Sequence, residues 1–249
     1  MEKMIQLVWP MYIAAGIIGY FIGSVSFARI ITRLVTHSND VGKIRQKVPG
    51  TDQWVESDAV SATTVAVNLG KKYGCLTSIL DMLKVILPTL LFKYFFPDQP
   101  YYLLTALTGI LGHDYPVYYR FRGGGGESLI LGSLLVINWF GIFIVSGAAM
   151  VLGYIFGRIL IMRYGMYFLM IFWYWIYFND IFYVGFMILA NFLLWSSMVS
   201  GFSKYSDLIN TLREQDISEL FLMGKGIGRF LDHYGLPALI RKARGRQAS

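Results

Sequence analysis

The residues most able to do chemistry lie in the stretch GILGHDYPVYYRFRGGGGES at positions 109–128. It contains one histidine, His113, two arginines, Arg120 and Arg122, and four consecutive glycines at 123–126. A glycine in a helix interior costs about 1 kcal/mol relative to alanine, so this run predicts a loop that needs bare backbone. The N–H groups of such a loop can form an anion-binding concavity, to which arginines add positive charge. We therefore predict a phosphate-binding cradle; the plainer interpretation is a flexible turn between helices.

A second candidate site is the pair Asp81 and Lys84, which lies in an otherwise apolar segment. Residues three apart share a helix face, so these two side chains can form an ion pair. Ionisable groups at membrane depth are costly and mark either a polar cavity or a structural pair. The sequence leaves both interpretations open.

Three serines and the histidine each have a structural alternative. Ser57 heads the predicted helix SDAVSATTVAVNLG. As its N-cap, Ser57 lies where free N–H groups attract anions, or it simply caps the helix. Ser24 and Ser26 are interpreted as helix-packing residues. His113 is either catalytic or a hydrogen-bonded structural residue, and no second histidine is near enough in sequence to predict a metal site.

The composition predicts an integral membrane protein. Hydrophobic residues make up 55% of the 249 positions and charged residues only 15%. A soluble domain is about one quarter charged, so lipid is the expected solvent for much of this surface. The single cysteine, Cys75, excludes an intramolecular disulfide. The basic residues are divided among several loops, which argues against nucleic-acid binding.

Seven apolar segments follow one another along the chain. They lie at about 7–34, 74–96, 101–119, 129–138, 140–160, 164–178 and 181–200. Some are shorter than the ~20 residues of a perpendicular span, which implies a thinned bilayer or a re-entrant path. Inverted repeats, which are typical of transporters, are not visible. The predicted fold is therefore all-α with seven transmembrane segments.

The distribution of basic residues predicts the orientation. With the N-terminus outside, the inner segments hold 19 of the 22 Lys and Arg residues, as the positive-inside rule requires. The C-terminus is then cytosolic. In the predicted tail, residues 205–249, apolar residues recur at helical spacing among charges, which indicates an amphipathic helix on the membrane. Its basic end is expected to contact anionic headgroups or to be a disordered terminus.

Motifs across residues 16–210 resemble those of the bacterial acyl-phosphate:glycerol-3-phosphate acyltransferases, the PlsY family. The first segment ends in GSVSF, similar to the family's GS-I-P-F, and residues 56–70 resemble its second motif. The family's D-x-L-K helix is similar to DMLK at 81–84. Its third motif, G-H-x-F-P-V-F-x-K-F-K-G-G-K-G, resembles GHDYPVYYRFRGGGG at 112–126, which is the most specific similarity.

The resemblance implies a seven-helix inner-membrane enzyme with its site near the cytosolic face. The implied reaction moves an acyl chain from acyl phosphate to the 1-hydroxyl group of glycerol 3-phosphate, giving lysophosphatidic acid for phospholipid biosynthesis. It needs no metal or other cofactor. The resemblance assigns catalysis to Ser57 and His113. It assigns phosphate binding to Lys84, Arg120, Arg122, Gly123, Gly124, Gly125 and Gly126, and supporting roles to Ser24, Ser26, Thr63 and Asp81.

Several polar positions of the family hold other residues in this chain. The family's phosphate-binding arginine is Val67, its second-motif asparagine is Ala59, and the lysine of its third motif is Gly125. Asp58 and Glu127 add negative charge beside the predicted phosphate sites. Cations that can substitute are Lys71, Lys72, Lys84, Arg120 and Arg122. The alternative function is a catalytically degenerate relative that binds a phospholipid or a phosphorylated lipid precursor.

Overall fold

The structure, a computed structural model, describes residues 2–38, 40–47, 54–57 and 59–202. These residues form eight α-helices and one two-stranded sheet. The helices are α1 Glu2–Gly23, α2 Phe27–Thr36, α3 Ala62–Leu69, α4 Lys71–Phe95, α5 Tyr101–Asp114, α6 Glu127–Phe156, α7 Ile159–Phe178 and α8 Ile181–Phe202. The strands are β1 Ile44–Lys47 and β2 Trp54–Ser57. The prediction of a helical protein is confirmed except for this small sheet, which lies in the polar section before α3.

In the part of the chain that the structure describes, four helical stretches are long and apolar enough to cross a membrane. They are Trp9–Thr36, Lys71–Phe95, Glu127–Phe156 and Ile159–Phe178. A shorter apolar stretch, Ile181–Ser197, follows in α8. Large apolar side chains are exposed along these helices, as lipid-facing surfaces require: Trp9 is 69% exposed and Phe192 is 67% exposed. The count of seven spans and the orientation stay predictions.

The first predicted segment, 7–34, is not one continuous helix. It breaks between Gly23 and Phe27, and Ser26 occupies the N-cap position of α2. The Ser24 hydroxyl donates to the Tyr20 carbonyl at 2.8 Å, a local bond that competes with continuation of the helix. Ser24 packs against α5, as predicted for a helix-packing residue, because a Cβ on Gly112 would lie 3.1 Å from its Oγ. For Ser26 the packing role stays a prediction. Both are buried in the break, where the backbone carbonyl groups become free to accept other donors.

Helices α1 and α5 pack so closely that glycine is required at their contact. A Cβ atom on Gly19 would overlap the backbone of α5, and a Cβ on Gly23 would overlap Gly109. From the other side, a Cβ on Gly112 would overlap the Tyr20 carbonyl oxygen. Small residues at this spacing allow two backbones to approach in a bilayer, where apolar side chains give little drive for association. This contact fixes the end of α5 that carries the functional stretch.

Helix α6 is interrupted at Asn138, whose backbone is not helical (φ −155°, ψ 79°). The predicted segments 129–138 and 140–160 therefore meet at a kink inside one assigned helix. The Lys93 ammonium group binds backbone carbonyl groups beside this kink. It donates to Val136 O at 2.6 Å and to Ile137 O at 3.3 Å.

The chain divides into two compact units. Of the described residues, the first contains 2–38, 40–45, 56–57, 59–139 and 180–202, including helices α1 to α5, the part of α6 before Phe140, and α8. Within it, Tyr115 and Ser196 hydroxyls lie 3.3 Å apart, which links α5 to α8. The second contains the described residues 46–47, 54–55 and 140–179, including α7. The predicted boundary at 204 and the predicted tail at 205–249 lie outside the described residues.

Candidate functional site

A cluster of ionisable side chains is buried where α4 meets α5 in the first unit. Lys84 Nζ lies 2.9 Å from Asp81 Oδ1, so the predicted ion pair of α4 is present. The same ammonium group donates to the Val25 carbonyl at 2.6 Å and lies 2.9 Å from His113 Nδ1. Asp81, Lys84 and His113 are each at most 8% exposed. The break between α1 and α2 thus supplies the carbonyl that completes the surroundings of Lys84.

This arrangement determines which nitrogen of His113 carries the proton. An ammonium group has three N–H donors and no acceptor, so His113 Nδ1 must accept from Lys84. In the neutral ring the hydrogen is then on Nε2. Carbonyl, imidazole and carboxylate together occupy all three directions of the ammonium group. The geometry therefore favours Lys84 as the residue that orients His113, and its role as a direct phosphate ligand stays a prediction.

The free edge of His113 faces the glycine run. A Cβ atom on Gly124 would overlap His113 Nε2, and one on Gly123 would overlap the His113 carbonyl oxygen. The Gly124 N–H donates to this carbonyl at 3.2 Å, and the Gly123 carbonyl accepts from Val60 N–H at 3.2 Å. These two glycines let the loop lie directly on the histidine. The Gly124 amide is therefore occupied inside the protein, and the predicted cradle of four free amides is wrong at this position.

The other two glycines have different environments. Gly126 has a left-handed backbone (φ +64°), which glycine adopts without strain. Its carbonyl accepts from Ile130 N–H at 2.9 Å, so it precedes the first turn of α6. Gly125 is not sterically restricted, because the nearest atom to a Cβ there is Ser197 Oγ at 3.8 Å. The structure thus has room for a side chain at the position where the family motif has lysine.

The turn before the glycines is held by backbone hydrogen bonds and by contacts of Arg29. Arg120 and Phe121 are both left-handed (φ 55° and 59°). The Phe121 N–H donates to Pro116 O at 3.0 Å. Arg29 stacks on Tyr119 with its guanidinium carbon 4.6 Å from the ring centre, and it donates to the Arg122 carbonyl at 3.0 Å. The sequence did not single out Arg29, whose role depends on a contact between residues far apart in the chain.

Two exposed guanidinium groups flank the loop, those of Arg120 and Arg122. Immediately after the glycines, helix α6 begins at Glu127. The first N–H groups of a helix lack intrahelical partners and attract anions. An exposed side chain here can reach an anion without desolvation of the protein interior. The arginines, the Gly125 amide and this helix end are the groups that the structure offers to a phosphate.

Asp114 is a buried acid beside the loop that the sequence motifs do not identify. It is 4% exposed, and neither carboxyl oxygen has a hydrogen-bond partner among the described residues. A Cβ on Gly126 would lie 2.9 Å from Oδ1 and 3.0 Å from Oδ2, so the carboxyl group is beside the loop. The signal available in the sequence was an acid next to His113 inside an apolar segment, where a charge without a function is costly.

The serine at the head of the second motif lies elsewhere than predicted. Ser57 is the last residue of β2, and the N-cap of α3 is Ser61, whose Oγ accepts from Thr64 N–H at 3.3 Å. The prediction of Ser57 as this cap is therefore wrong. Four residues separate it from the helix, and Ser61 bonds the Thr64 hydroxyl as well. Thr63, predicted to support the site, is exposed, whereas its neighbour Thr64 is buried and donates to Ala59 O at 2.6 Å.

The site thus offers a fixed imidazole donor, two guanidinium groups, a helix N-terminus and a buried carboxyl group. Among the described residues no group of three or more His, Cys, Asp or Glu could hold a metal ion. A set of this kind suits binding and orientation of anionic, hydroxylated molecules, with hydrogen bonds to oxygen atoms on which charge develops.

Comparison with known proteins gives concordant results. The family described as "Glycerol-3-phosphate acyltransferase" matches residues 13–201. A relative of that name from Mycoplasma mycoides is 34% identical over 132 residues, which are 51% of this chain and 46% of the relative. Another from Aquifex aeolicus is 35% identical over 140 residues, which are 51% of this chain and 66% of the relative. The chain thus spans about half the length of the Mycoplasma relative it matches.

Two solved structures have a similar fold. Both are described as PlsY (YgiH), an integral membrane glycerol 3-phosphate acyltransferase, in the lysophosphatidic acid form and in the glycerol 3-phosphate form. The first has a TM-score of 0.60 and 24% identity, over 80% of this chain and 92% of that one. The second has a TM-score of 0.59 and 24% identity, over 84% of this chain and 98% of that one.

Proposed function

Since the chain belongs to the glycerol-3-phosphate acyltransferase family, we propose that it transfers an acyl chain from acyl phosphate to glycerol 3-phosphate, giving lysophosphatidic acid. The observation that carries the proposal is the contact between the glycine run and His113, whose Nδ1 is 2.9 Å from Lys84 Nζ. Support comes from relatives named for this activity and from the similar fold of a structure described in a glycerol 3-phosphate form.

The reaction suits a site in which the protein mainly positions and polarises. A hydroxyl oxygen of glycerol 3-phosphate attacks the acyl carbonyl carbon, a new C–O bond forms, and the bond from that carbon to the phosphate oxygen breaks. The phosphate leaves with the electron pair, and the hydroxyl proton passes to a phosphate oxygen. Because the mixed anhydride is already activated, orientation and electrostatic stabilisation supply much of the rate.

His113 has a defined part in this proposal. Its Nε2–H donates to an oxygen on which negative charge develops, either the acyl carbonyl oxygen or the leaving phosphate. Lys84 and Asp81 hold the ring in the tautomer that makes this possible. Loss of one such donor typically lowers kcat by about 10²- to 10³-fold. The Lys84 charge nearby favours the same build-up of negative charge.

The remaining site residues bind the phosphate groups, contact the acceptor or act indirectly. Arg120, Arg122 and the Gly125 amide bind phosphate oxygens, together with the N-terminus of α6. Ser57, at the end of β2, is proposed as a catalytic contact to the acceptor. Ser24, Ser26 and Thr63 act indirectly, through the break after α1 and the start of α3. The apolar helices provide the environment for the acyl chain.

The location of the protein is part of the proposal. The basic loops support seven spans, an N-terminus outside, a cytosolic C-terminus and a place in the inner membrane. The break at Asn138 supports a division of 129–160 into two segments. The glycine run is then on the cytosolic side, where phosphorylated substrates are available. The tail after residue 204 is proposed to lie on the same membrane face.

A second candidate function has a specific observation in its favour. At the position of the family's phosphate-binding arginine, Val67 is 51% exposed, and Gly125 leaves open the space where the family motif has lysine. Two positively charged groups of the family motifs are therefore absent from this chain. A degenerate relative that binds a phospholipid or a phosphorylated lipid precursor without acyl transfer has these features.

The experiment that separates these functions is an assay of the purified protein with acyl phosphate and labelled glycerol 3-phosphate. The variants are Ser57→Ala and Arg122→Ala, with Arg33→Ala as the control because Arg33 is an exposed arginine at the end of α2. We expect labelled lysophosphatidic acid from the wild type and from Arg33→Ala, and at least about 10-fold less from the two site variants, since each loses a charge-assisted bond.

Absence of labelled lipid from the wild type contradicts the acyl transfer and favours the degenerate relative. If the wild type forms product and neither Ser57→Ala nor Arg122→Ala reduces it, the acyl transfer is supported but the assignment of these two residues to the site is contradicted. A loss in Arg33→Ala equal to that in Arg122→Ala indicates a general effect of surface charge.

A further inference from the structure

The carboxyl group of Asp114 is the one chemically distinctive group of this site to which the proposed mechanism gives no task. It is 4% exposed, and both oxygen atoms lack a hydrogen-bond partner among the described residues. A buried acceptor left without a donor typically costs about as much as a lost hydrogen bond. Such a group persists in a fold when a ligand supplies the donors. The position of Asp114 indicates which ligand this is.

The carboxyl group lies on the glycine run, two residues beyond the contact with His113. Its oxygens are 2.9 Å and 3.0 Å from where a Cβ of Gly126 would be, whereas His113 Nε2 faces Gly124. His113 and Asp114 are consecutive at the end of α5. The imidazole and the carboxyl group therefore contact the same loop, two glycines apart. The absence of a side chain at Gly126 lets the carboxyl group lie directly against the loop backbone.

The chemistry of the carboxyl group excludes one part of the acceptor and favours another. A carboxylate repels a phosphate, so the phosphate belongs at Arg120 and Arg122 and not beside Asp114. A hydroxyl group, in contrast, donates to a carboxyl oxygen. Two unpartnered oxygens in one plane match two hydroxyl groups on adjacent carbon atoms.

We propose that Asp114 binds the vicinal diol of the acceptor, one hydroxyl group at each carboxyl oxygen. The inference rests on the proposed function and extends it, because it makes Asp114 the residue that selects a glycerol unit over a simple alcohol. In this arrangement the diol lies at the carboxyl group beside the loop, the reacting hydroxyl group is held close to His113, and the phosphate extends toward the arginines. A site built to bind a hydroxyl group discriminates strongly against the analogue that lacks it.

The test compares glycerol 3-phosphate with 3-hydroxypropyl phosphate, which keeps the phosphate and the reacting hydroxyl group but lacks the adjacent one. We expect kcat/KM of the wild type to favour glycerol 3-phosphate by about 10- to 100-fold, the value of a hydrogen bond to a charged group. In Asp114→Asn, which keeps the shape, the preference falls below about 3-fold. In the control Asp98→Asn, an exposed acid after α4, the preference stays as in the wild type.

A structural role of Asp114 gives a different result: activity falls equally with both acceptors and the preference is unchanged, which overturns the inference. If Asp114→Asn does not fold, Asp114→Ser removes the carboxyl group while keeping a small polar side chain, and the same ratio is measured. If the wild type acylates neither acceptor, the proposed function fails, and calorimetric titration with the two acceptors still tests Asp114. Equal affinity ratios in the wild type and in Asp114→Asn contradict the diol site.

Discussion

Helix α4 carries two lysines along its apolar length, and their surroundings differ. Lys84 is buried with an ion-pair partner, an imidazole and a carbonyl group. Lys93, nine residues later and thus about 13 Å along the axis, donates to two carbonyl groups beside the Asn138 kink and lies 5.7 Å from the Tyr102 ring centre. Lys84 orients His113, which faces the glycine run, and Lys93 binds backbone carbonyl groups beside the kink of α6.

A lysine within an apolar helix does not by itself identify a functional site. Both ammonium groups have acceptors, so both are compatible with burial. The difference is in what lies beyond the partner. At Lys84 the partner is His113, whose free Nε2–H faces the glycine run. At Lys93 the partners are backbone carbonyls of α6, which have no chemistry to perform.

The largest effect is expected from Lys84→Met. The substitution leaves Asp81 as a buried charge without its partner. It also removes the donor that keeps the hydrogen of the His113 ring on Nε2. We expect activity to fall by about 10²- to 10³-fold, as for removal of an electrostatic contact at a reacting centre. The free energy of unfolding should fall by about 3 to 5 kcal/mol. Initial rates and denaturant unfolding in detergent measure the two quantities.

A double variant separates these two consequences. Adding Asp81→Asn to Lys84→Met removes the unpaired charge, so most of the lost stability should return while the activity does not. Recovery of both quantities together would mean that Lys84, like Lys93, only stabilises the fold.

The next largest effect is expected within the glycine run, which contacts the imidazole that Lys84 orients. In Gly124→Ala the added methyl group overlaps His113 Nε2 and moves the loop off the imidazole. We expect a loss of about 10- to 100-fold in kcat/KM, as for a displacement of about 1 Å between reacting groups. The matched control is Gly125→Ala, where the nearest atom to the new Cβ is 3.8 Å away, and its rate should stay within about 2-fold of the wild type. Equal losses in both variants would contradict the assignment of the loop contact to His113.

A smaller effect, on stability alone, is expected at Lys93. In Lys93→Met the carbonyl groups of Val136 and Ile137 lose their donor next to the kink. The free energy of unfolding should fall by about 1 to 3 kcal/mol, the cost of unsatisfied buried acceptors. The activity per folded molecule should remain within about 3-fold of the wild type. A loss of activity as large as in Lys84→Met would remove the distinction between the two lysines.

Much of this site could be predicted from the sequence because its signals are local. A spacing of three residues on one helix face predicts the ion pair of Asp81 and Lys84, and the glycine run predicts a loop next to His113. Apolar length predicts the helices. These inferences require only the spacing of residues within one segment.

What could not be predicted depends on contacts between segments. The break at Ser24–Ser26 provides the Val25 carbonyl for Lys84, a partner 59 residues away. Ser57 heads a stretch that the sequence predicts to be helical, and only the β2 strand, which ends at Ser57, shows that the helix begins later, with Ser61 as its cap. Asp114 was passed over because an unpartnered acid is recognised only when all its neighbours are known.

The smallest effect is expected at the start of α3. This part of the chain is connected to the glycine run by the hydrogen bond from Val60 N–H to the Gly123 carbonyl. In Ser61→Ala the Thr64 N–H loses its acceptor, and loss of such a cap typically lowers stability by about 1 kcal/mol. The control Thr63→Ala, at an exposed position two residues on, should change stability by less than about 0.5 kcal/mol. Thermal unfolding measures both changes, and we expect initial rates to remain near the wild type.

Ser61, although close to the loop, would then affect stability alone, as Lys93 does. The difference between Lys84 and Lys93 would therefore depend on contact with His113 and not on distance from it. A rate loss in Ser61→Ala beyond about 10-fold would instead make α3 part of the reacting site.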